Sequence, residues 1–194
     1  MTEFEKQQKL IVISGPSGVG KSTICKQVVE KLDAFLSVSA TTRPRSESEE
    51  QGREYNFLSR REFEEMIQND AFLEYAEVFG NYYGTPKNPV DEALVTEHIV
   101  ILEIDVQGAL RVKKVRPWAQ TIFILPPRTK DLRERIDGRG RGEDEETKKQ
   151  RLETASREIA AAWQHYDHMV INDDLDQAVQ EVLEIIDGKL REQE

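Results

Sequence analysis

Gly15-Pro16-Ser17-Gly18-Val19-Gly20-Lys21-Ser22-Thr23 follows directly on the apolar run Leu10-Ile11-Val12-Ile13. From Gly15 through Gly20, Lys21 and Ser22 the stretch satisfies G-x-x-x-x-G-K-[ST], the pattern of a phosphate-binding loop. Each residue type has a mechanical reason. Glycines let successive backbone N–H groups converge on a phosphate, and a helix opening at Lys21 adds the positive end of its dipole. Lys21 then reaches the β- and γ-phosphates of a nucleotide, and the Ser22 hydroxyl sits on Mg²⁺. The bland alternative is a Gly-rich turn that only joins a strand to a helix. The apolar strand before the loop and the helix-like Ser22-to-Lys31 segment after it favour nucleotide binding.

The chain has 194 residues, which suits one domain, or one core with small insertions, and leaves room for a substantial core. Charged residues make up 33% and the formal net charge is -10. Such a field repels polyanions and argues against a general nucleic-acid or membrane-surface role. A phosphorylated small substrate must be held by a local basic cluster working against that field, so the positions of the arginines are informative. The single Cys25 excludes an intramolecular disulfide and suits a reducing cytosol. It reads as a small apolar residue of the helix after the loop. The segment Met1 to Gln8 is polar and carries Glu3 and Glu5, unlike the apolar centre of a signal peptide. No run approaches the roughly 18 apolar residues of a membrane span. These features predict a cytoplasmic protein.

Downstream of the loop, Phe35 to Ala40 reads as a second strand that delivers Thr41-Thr42-Arg43-Pro44-Arg45 into a polar loop. Short strands follow at Glu54–Phe57, Phe72–Val78 and Tyr82–Gly84, with helices over Arg60–Asn69 and around Val90–Val95. From His98 the chain returns to an α/β rhythm: a buried strand through Leu102 leading to Glu103-Ile104-Asp105, a helix over Val106–Lys114 and a strand over Thr121–Leu125. A short helix over Thr129–Asp137 ends in Gly138-Arg139-Gly140-Arg141-Gly142, and a longer helix begins at Glu143–Glu146. The longer helix carries an apolar stripe of Leu152, Ala155, Ile159, Ala162 and Trp163. Strand Met169–Ile171 and an amphipathic helix from Leu175 to Leu190 close the chain. Strands alternating with helices predict an α/β fold. Its central parallel sheet is flanked by helices on both faces, and its ligand sits at the carboxyl ends of the strands. His98, His165 and His168 share no metal spacing with Cys25 and are read as structural.

An ordered set of motifs narrows this further: Gly15 to Thr23, Ser37 to Arg43, Tyr55-Asn56-Phe57, Glu74-Tyr75-Ala76, Gly80 to Thr85, Ile104 to Gly108, Gly138-Arg139-Gly140 and Asn172-Asp173-Asp174. Along nearly its whole length the chain resembles the guanylate kinases. That resemblance implies a single domain with a P-loop NTPase core over residues 9–39, 96–129 and 152–191. It also implies an inserted GMP-binding α+β subdomain over about 40–95 and a mobile helical lid over about 130–151. The reaction it implies is transfer of the γ-phosphoryl group of Mg²⁺-ATP to GMP, and to dGMP, as a step in guanine nucleotide synthesis and GMP recycling.

Residue by residue, the resemblance assigns the ATP phosphates to Gly15, Pro16, Ser17, Gly18, Val19, Gly20, Lys21, Ser22 and Thr23, with Asn172 on the adenine side. Arg43, Arg45, Tyr55 and Tyr83 grip the GMP phosphate, for which planar guanidinium forks are suited. Arg43-Pro44-Arg45 is one residue shorter than the family pattern. A further polar residue within 46–51 restores the spacing to Tyr55, so Arg43 is the firmer assignment. Guanine presents adjacent N1–H and N2–H₂ donors that one carboxylate accepts together, and Glu74 stands at that position with Ser39 and Thr85 nearby. Asp105 falls on the acceptor and metal-water side, with Glu103 beside it, although Asp105 also suits a helix cap. Ser22 is the direct Mg²⁺ ligand and Asp105 acts through water. Lys21, Arg43, Arg135, Arg139 and Arg151 supply positive charge to the transferring phosphoryl group. The additional Gly140-Arg141-Gly142 leaves Arg141 as a competitor to Arg139. The partners implied are ATP and GMP alone, in a monomer or small homo-oligomer. The rival reading is a non-catalytic guanylate-kinase-like interaction module. Such modules characteristically lose the phosphate loop, whereas Gly20, Lys21 and Ser22 are all present here.

Overall fold

Strand β1 (Lys9–Ser14) is buried over Leu10–Ser14, as a strand covered on both faces must be, and its continuous apolar run is the sequence form of that burial. The computed structural model describes residues 9–78, 80–96, 99–127 and 145–188, with the backbone alone over 145–151. Around β1 the chain builds a five-stranded sheet in the order β2-β7-β1-β8-β9. Its other members are β2 (Phe35–Ser37), β7 (Ile99–Glu103), β8 (Gln120–Leu125) and β9 (His168–Ile171), and every pairing is parallel.

The pleat of β1 sorts its side chains between two cores. Ile11 and Ile13 pack with Ile24, Val28, Val179 and Val182 of helices α1 (Lys21–Leu32) and α6 (Leu175–Ile186). Leu10 and Val12 point the other way, against Val90, Leu94, Ala109 and Val112 of α3 (Lys87–Thr96) and α4 (Val106–Val115). Cys25 is fully buried within the first core. Burial pushes its thiol well above the usual range, which agrees with a structural role.

A second sheet of four strands, in the order β4-β3-β6-β5, stands beside the first. It comprises β3 (Ala40–Thr41), β4 (Asn56–Phe57), β5 (Phe72–Val78) and β6 (Asn81–Pro86). Helix α2 (Arg60–Gln68) backs it. Ser59 and Glu62 close a capping box at the start of α2, and Phe63 stacks on Phe72 and Tyr82 with ring centroids 4.3 and 5.2 Å away.

Two expectations are corrected here. Phe35 to Ala40 is not one strand: β2 ends at Ser37 in the parallel sheet, and Ala40 begins β3 in the second. At the crossing, Asn56 Nδ2 donates to the Val38 carbonyl at 3.1 Å and Asn56 N to the Ser39 carbonyl at 2.8 Å. Backbone groups that would have continued a ladder are satisfied by the partner strand. Trp163 does not join the apolar stripe of α5 (Glu145–His165); it is 67% exposed. The inner face runs through Ala155, Ile159 and Ala162 to Tyr166, at the three- and four-residue spacing of one helix side, which Trp163 leaves by one position.

Candidate active site

The loop after β1 turns on glycines at two points that tolerate nothing larger. Gly15 has φ +154, and a Cβ there would lie 2.5 Å from the Ile124 carbonyl oxygen. Gly20 has φ +101, and its Cβ would lie 2.5 Å from Asn172 Nδ2. Gly20 is also the N-cap of α1 and offers no side-chain acceptor to the first turn, the kind of helix start that suits an anion. Lys21 folds over the loop and donates from Nζ to the carbonyls of Gly15 and Pro16, the latter at 3.2 Å. Asn172, buried at the end of β9, donates from Nδ2 to the Val19 carbonyl at 2.7 Å. It thus braces the loop from behind. The cap of the following helix is Asp174, which accepts from Gln177 N.

The Ser22 hydroxyl donates to Glu103 Oε1 at 2.7 Å, so the carboxylate that meets the loop serine is Glu103. Asp105 caps α4, accepting from Gly108 N at 2.7 Å. Its charge reaches two neighbours, the buried Glu74 and the half-buried Glu158. Glu158 was not anticipated. It lies on α5 one residue from Ile159 of the inner stripe, and burial pushes its carboxyl up to about 7 while the Lys21 ammonium opposes the rise. The signal available in the sequence was a lone acid bordering an apolar helix face.

Across from the loop stands a cluster drawn from the second sheet. Tyr55 and Tyr83 meet edge to face at 5.9 Å, and the Arg43 guanidinium lies over the rings of Tyr55 and Phe57 at 5.5 and 5.6 Å. Three of the four residues expected at an acceptor phosphate are therefore together. Arg45 is exposed. Arg43 is gripped by Glu49, a residue that sequence reasoning passed over within a polar run, at 2.6 and 3.0 Å. Tyr55 also lies within electrostatic range of Glu103, which ties this cluster to the loop side.

Glu74 is 8% exposed, and burial pushes its carboxyl up to about 7. Thr85, itself buried, donates to Glu74 Oε1 at 2.8 Å. Oε2 rests against α4, where a Cβ on Gly108 would approach it to 2.9 Å. Ser39 sits half-buried at the crossing between the sheets. Arg135, Arg139 and Arg141 lie outside the described residues, as do His98 and the side chain of Arg151. His168 faces Gln120, with the side-chain nitrogens 2.9 Å apart.

Comparison with known proteins gives one answer. A family model described as guanylate kinase matches residues 7–189. A guanylate kinase of Clostridium acetobutylicum is 50% identical over 183 residues, covering 94% of this chain and 87% of that protein. One from Synechocystis sp. is 47% identical over 180 residues, covering 92% and 93%. Among solved structures, a guanylate kinase from Anaplasma phagocytophilum superposes with a TM-score of 0.77 at 30% identity, over 95% of this chain and 87% of that one. With a family model matched across nearly its whole length and relatives about half identical over most of both chains, the chain belongs to the guanylate kinase family.

Proposed function

We propose that the chain transfers the γ-phosphoryl group of Mg²⁺-ATP to GMP, and to dGMP, giving ADP and GDP or dGDP by direct in-line displacement. As a guanylate kinase it is an ATP:GMP phosphotransferase; the metal, the deoxynucleotide and the residue roles are the reading argued here. The observation that carries it is Glu74, a carboxylate buried at the junction of the two sheets with one oxygen held by Thr85. A buried acceptor pair is complementary to the two adjacent donors of guanine. Adenine, with an acceptor at N1, would leave it unpaired, a mismatch that discriminates strongly.

The other roles follow from chemistry. Main-chain N–H groups of 15–23 and the Lys21 ammonium hold the donor phosphates, while Arg43, Tyr55 and Tyr83 hold the acceptor phosphate in line with them. The Ser22 hydroxyl and the Glu103 and Asp105 carboxylates are hard oxygen donors and suit Mg²⁺. When bound, the ion neutralises charge between the β- and γ-phosphates. Among the described residues no three His, Cys, Asp or Glu side chains form a metal cluster, which fits an ion held mainly by substrate phosphates and waters. Residues 40–95 act as the acceptor-binding subdomain. Residues 130–151 act as the lid, with Arg139 favoured over Arg141 because Gly138-Arg139-Gly140 keeps the family's spacing from Arg135. No helix among the described residues is long and apolar enough to cross a membrane, and a cytoplasmic monomer or small homo-oligomer is the reading that accompanies this chemistry. A coupled ADP-release assay with GMP, dGMP, AMP, UMP and CMP tests it: turnover with GMP and dGMP alone is expected, and equal turnover with AMP would overturn the guanine assignment.

A further inference from the structure

The side chain of Arg43 has more order than a loop arginine needs. A guanidinium carries two two-donor edges, Nη1–Nη2 at its end and Nε–Nη2 along its side. Glu49 takes the end edge whole: Nη1 donates to Oε2 at 3.0 Å and Nη2 to Oε1 at 2.6 Å. The remaining Nη1 hydrogen serves the Pro44 carbonyl at 2.8 Å. Neither acceptor uses the Nε–Nη2 edge. Tyr55 and Phe57 lie against the guanidinium and restrict its rotation, and the Tyr83 hydroxyl hydrogen-bonds to it as a further partner.

Glu49 is itself anchored independently of Arg43. Its Oε2 accepts from Ser46 N at 2.9 Å and from Ser46 Oγ at 2.7 Å, and its own N–H closes the turn onto the Ser46 carbonyl at 3.1 Å. Only 18% of the side chain is exposed. The Arg43 and Ser46 donors hold its carboxyl down to about 2. A carboxylate fixed this way is a post, not a mobile stand-in for phosphate.

We propose that Glu49 is a positioning residue for the acceptor phosphate: by binding the end edge of Arg43, it presents the side edge as a second, preorganised fork for the phosphate of GMP. The inference rests on the reading that Arg43 grips that phosphate. Bidentate recognition depends on the fork's orientation, and ordering it in advance removes from binding the cost of fixing a long side chain. Glu49 also offsets the positive charge of Arg43 without itself occupying the side edge.

The test compares the full-length enzyme with Glu49→Gln, which puts an N–H₂ against one Arg43 nitrogen and breaks the end-edge pair. KM for GMP is expected to rise about tenfold, the scale of misdirecting a hydrogen bond to a charged group. KM for ATP and kcat at saturating GMP should stay within about twofold of the starting enzyme, since the donor site is untouched. Guanosine, which lacks the phosphate, separates positioning from mere loop stability. By calorimetry its Kd should be unchanged in Glu49→Gln while that of GMP rises, and an equal loss for both ligands would overturn the proposal. A lower KM for GMP would overturn it in the opposite sense, by showing that Glu49 competes with phosphate. Arg43→Ala tests the reading beneath: if it leaves GMP binding unchanged, the assignment of Arg43 fails. If Arg43→Ala weakens GMP and Glu49→Gln does not, the positioning role alone fails. In an Arg43→Ala background, Glu49→Gln should add nothing.

Discussion

The two halves of the site are built in opposite ways. The phosphate loop is one unbroken stretch between β1 and α1, braced from outside mainly by Asn172 and Glu103. The proposed acceptor half is assembled from separate pieces: Arg43 and Glu49 after β3, Tyr55 before β4, Glu74 on β5, Tyr83 on β6 and Gly108 on α4. A contiguous loop carries its geometry in its backbone. A distributed cluster carries it in side-chain contacts such as Thr85 to Glu74 and Glu49 to Arg43. The loop should therefore fail in the chemical step when its charge is removed, and the cluster should fail in binding and selectivity when its contacts are disturbed.

The largest expected effect breaks the loop side. On the proposed reading Lys21→Ala removes preorganised positive charge acting on the moving γ-phosphoryl group, and kcat should fall at least about a hundredfold, the scale of losing one such donor. Single-turnover rates in a folded variant check this, and near-normal turnover would remove the lysine from the chemistry. On the cluster side, Glu74→Gln replaces one of two acceptors with a donor. The ratio of kcat/KM for GMP over AMP should then fall by roughly a hundredfold, because discrimination of this kind comes from buried polar groups left unpaired. An unchanged ratio would mean that the base is read elsewhere.

That contrast also explains what the sequence made legible. The parallel sheet could be read because Leu10–Ile13, Val100–Leu102 and Ile122–Ile124 are apolar runs buried on both faces, with little competing pattern. The loop could be read because its chemistry is local. Glu74 was found only through its matched surroundings, since nothing in Leu73-Glu74-Tyr75 says that the carboxylate is covered. Glu49 and Glu158 escaped for the same physical reason: a carboxylate's partner is set by topology, and a polar run or a helix border looks the same whether or not an arginine or lysine waits across the gap. The break after Ser37 was missed because Val38-Ser39 continues the alternation of a strand, while the sheet it joins changes.

Gly108→Ala sharpens the comparison with a change that leaves every charge in place. An added Cβ would stand 2.9 Å from Glu74 Oε2. Glu74 cannot retreat freely, because Thr85 holds Oε1. Displacement by a few tenths of an ångström should raise KM for GMP by roughly tenfold, since buried hydrogen bonds to a charged group are sensitive to geometry. Alanine favours a helix over glycine by about 1 kcal/mol, which opposes the cost of the contact with Glu74, so the thermal midpoint should change little. Weaker GMP binding without loss of thermal midpoint would separate specificity from folding. A loss of both would show that Gly108 serves packing of α4 against β5 instead.

The smallest effect concerns stability without any ligand. Burial raises the Glu74 carboxyl from its ordinary 4.5 to about 7, so between those values the folded chain holds a proton that the unfolded chain has released. Stability from this group is then fully present below pH 4.5 and is lost as pH rises through about 7. The thermal midpoint of the empty enzyme should fall by a few degrees from about pH 5 to about pH 8 on this account. Glu158, also raised to about 7, adds a slope of the same sign, so the measurement is the difference between the enzyme and Glu74→Gln. That difference should shrink when GMP is saturating, because two N–H donors favour the ionised carboxylate and pull its pKa back down. On the loop side the corresponding handle is Glu158, whose charge interacts with Lys21. A pH slope that survives Glu74→Gln unchanged, with or without GMP, would mean that the buried carboxyl does not titrate against its burial. The proposed acceptor site would then lack the proton coupling assigned to Glu74.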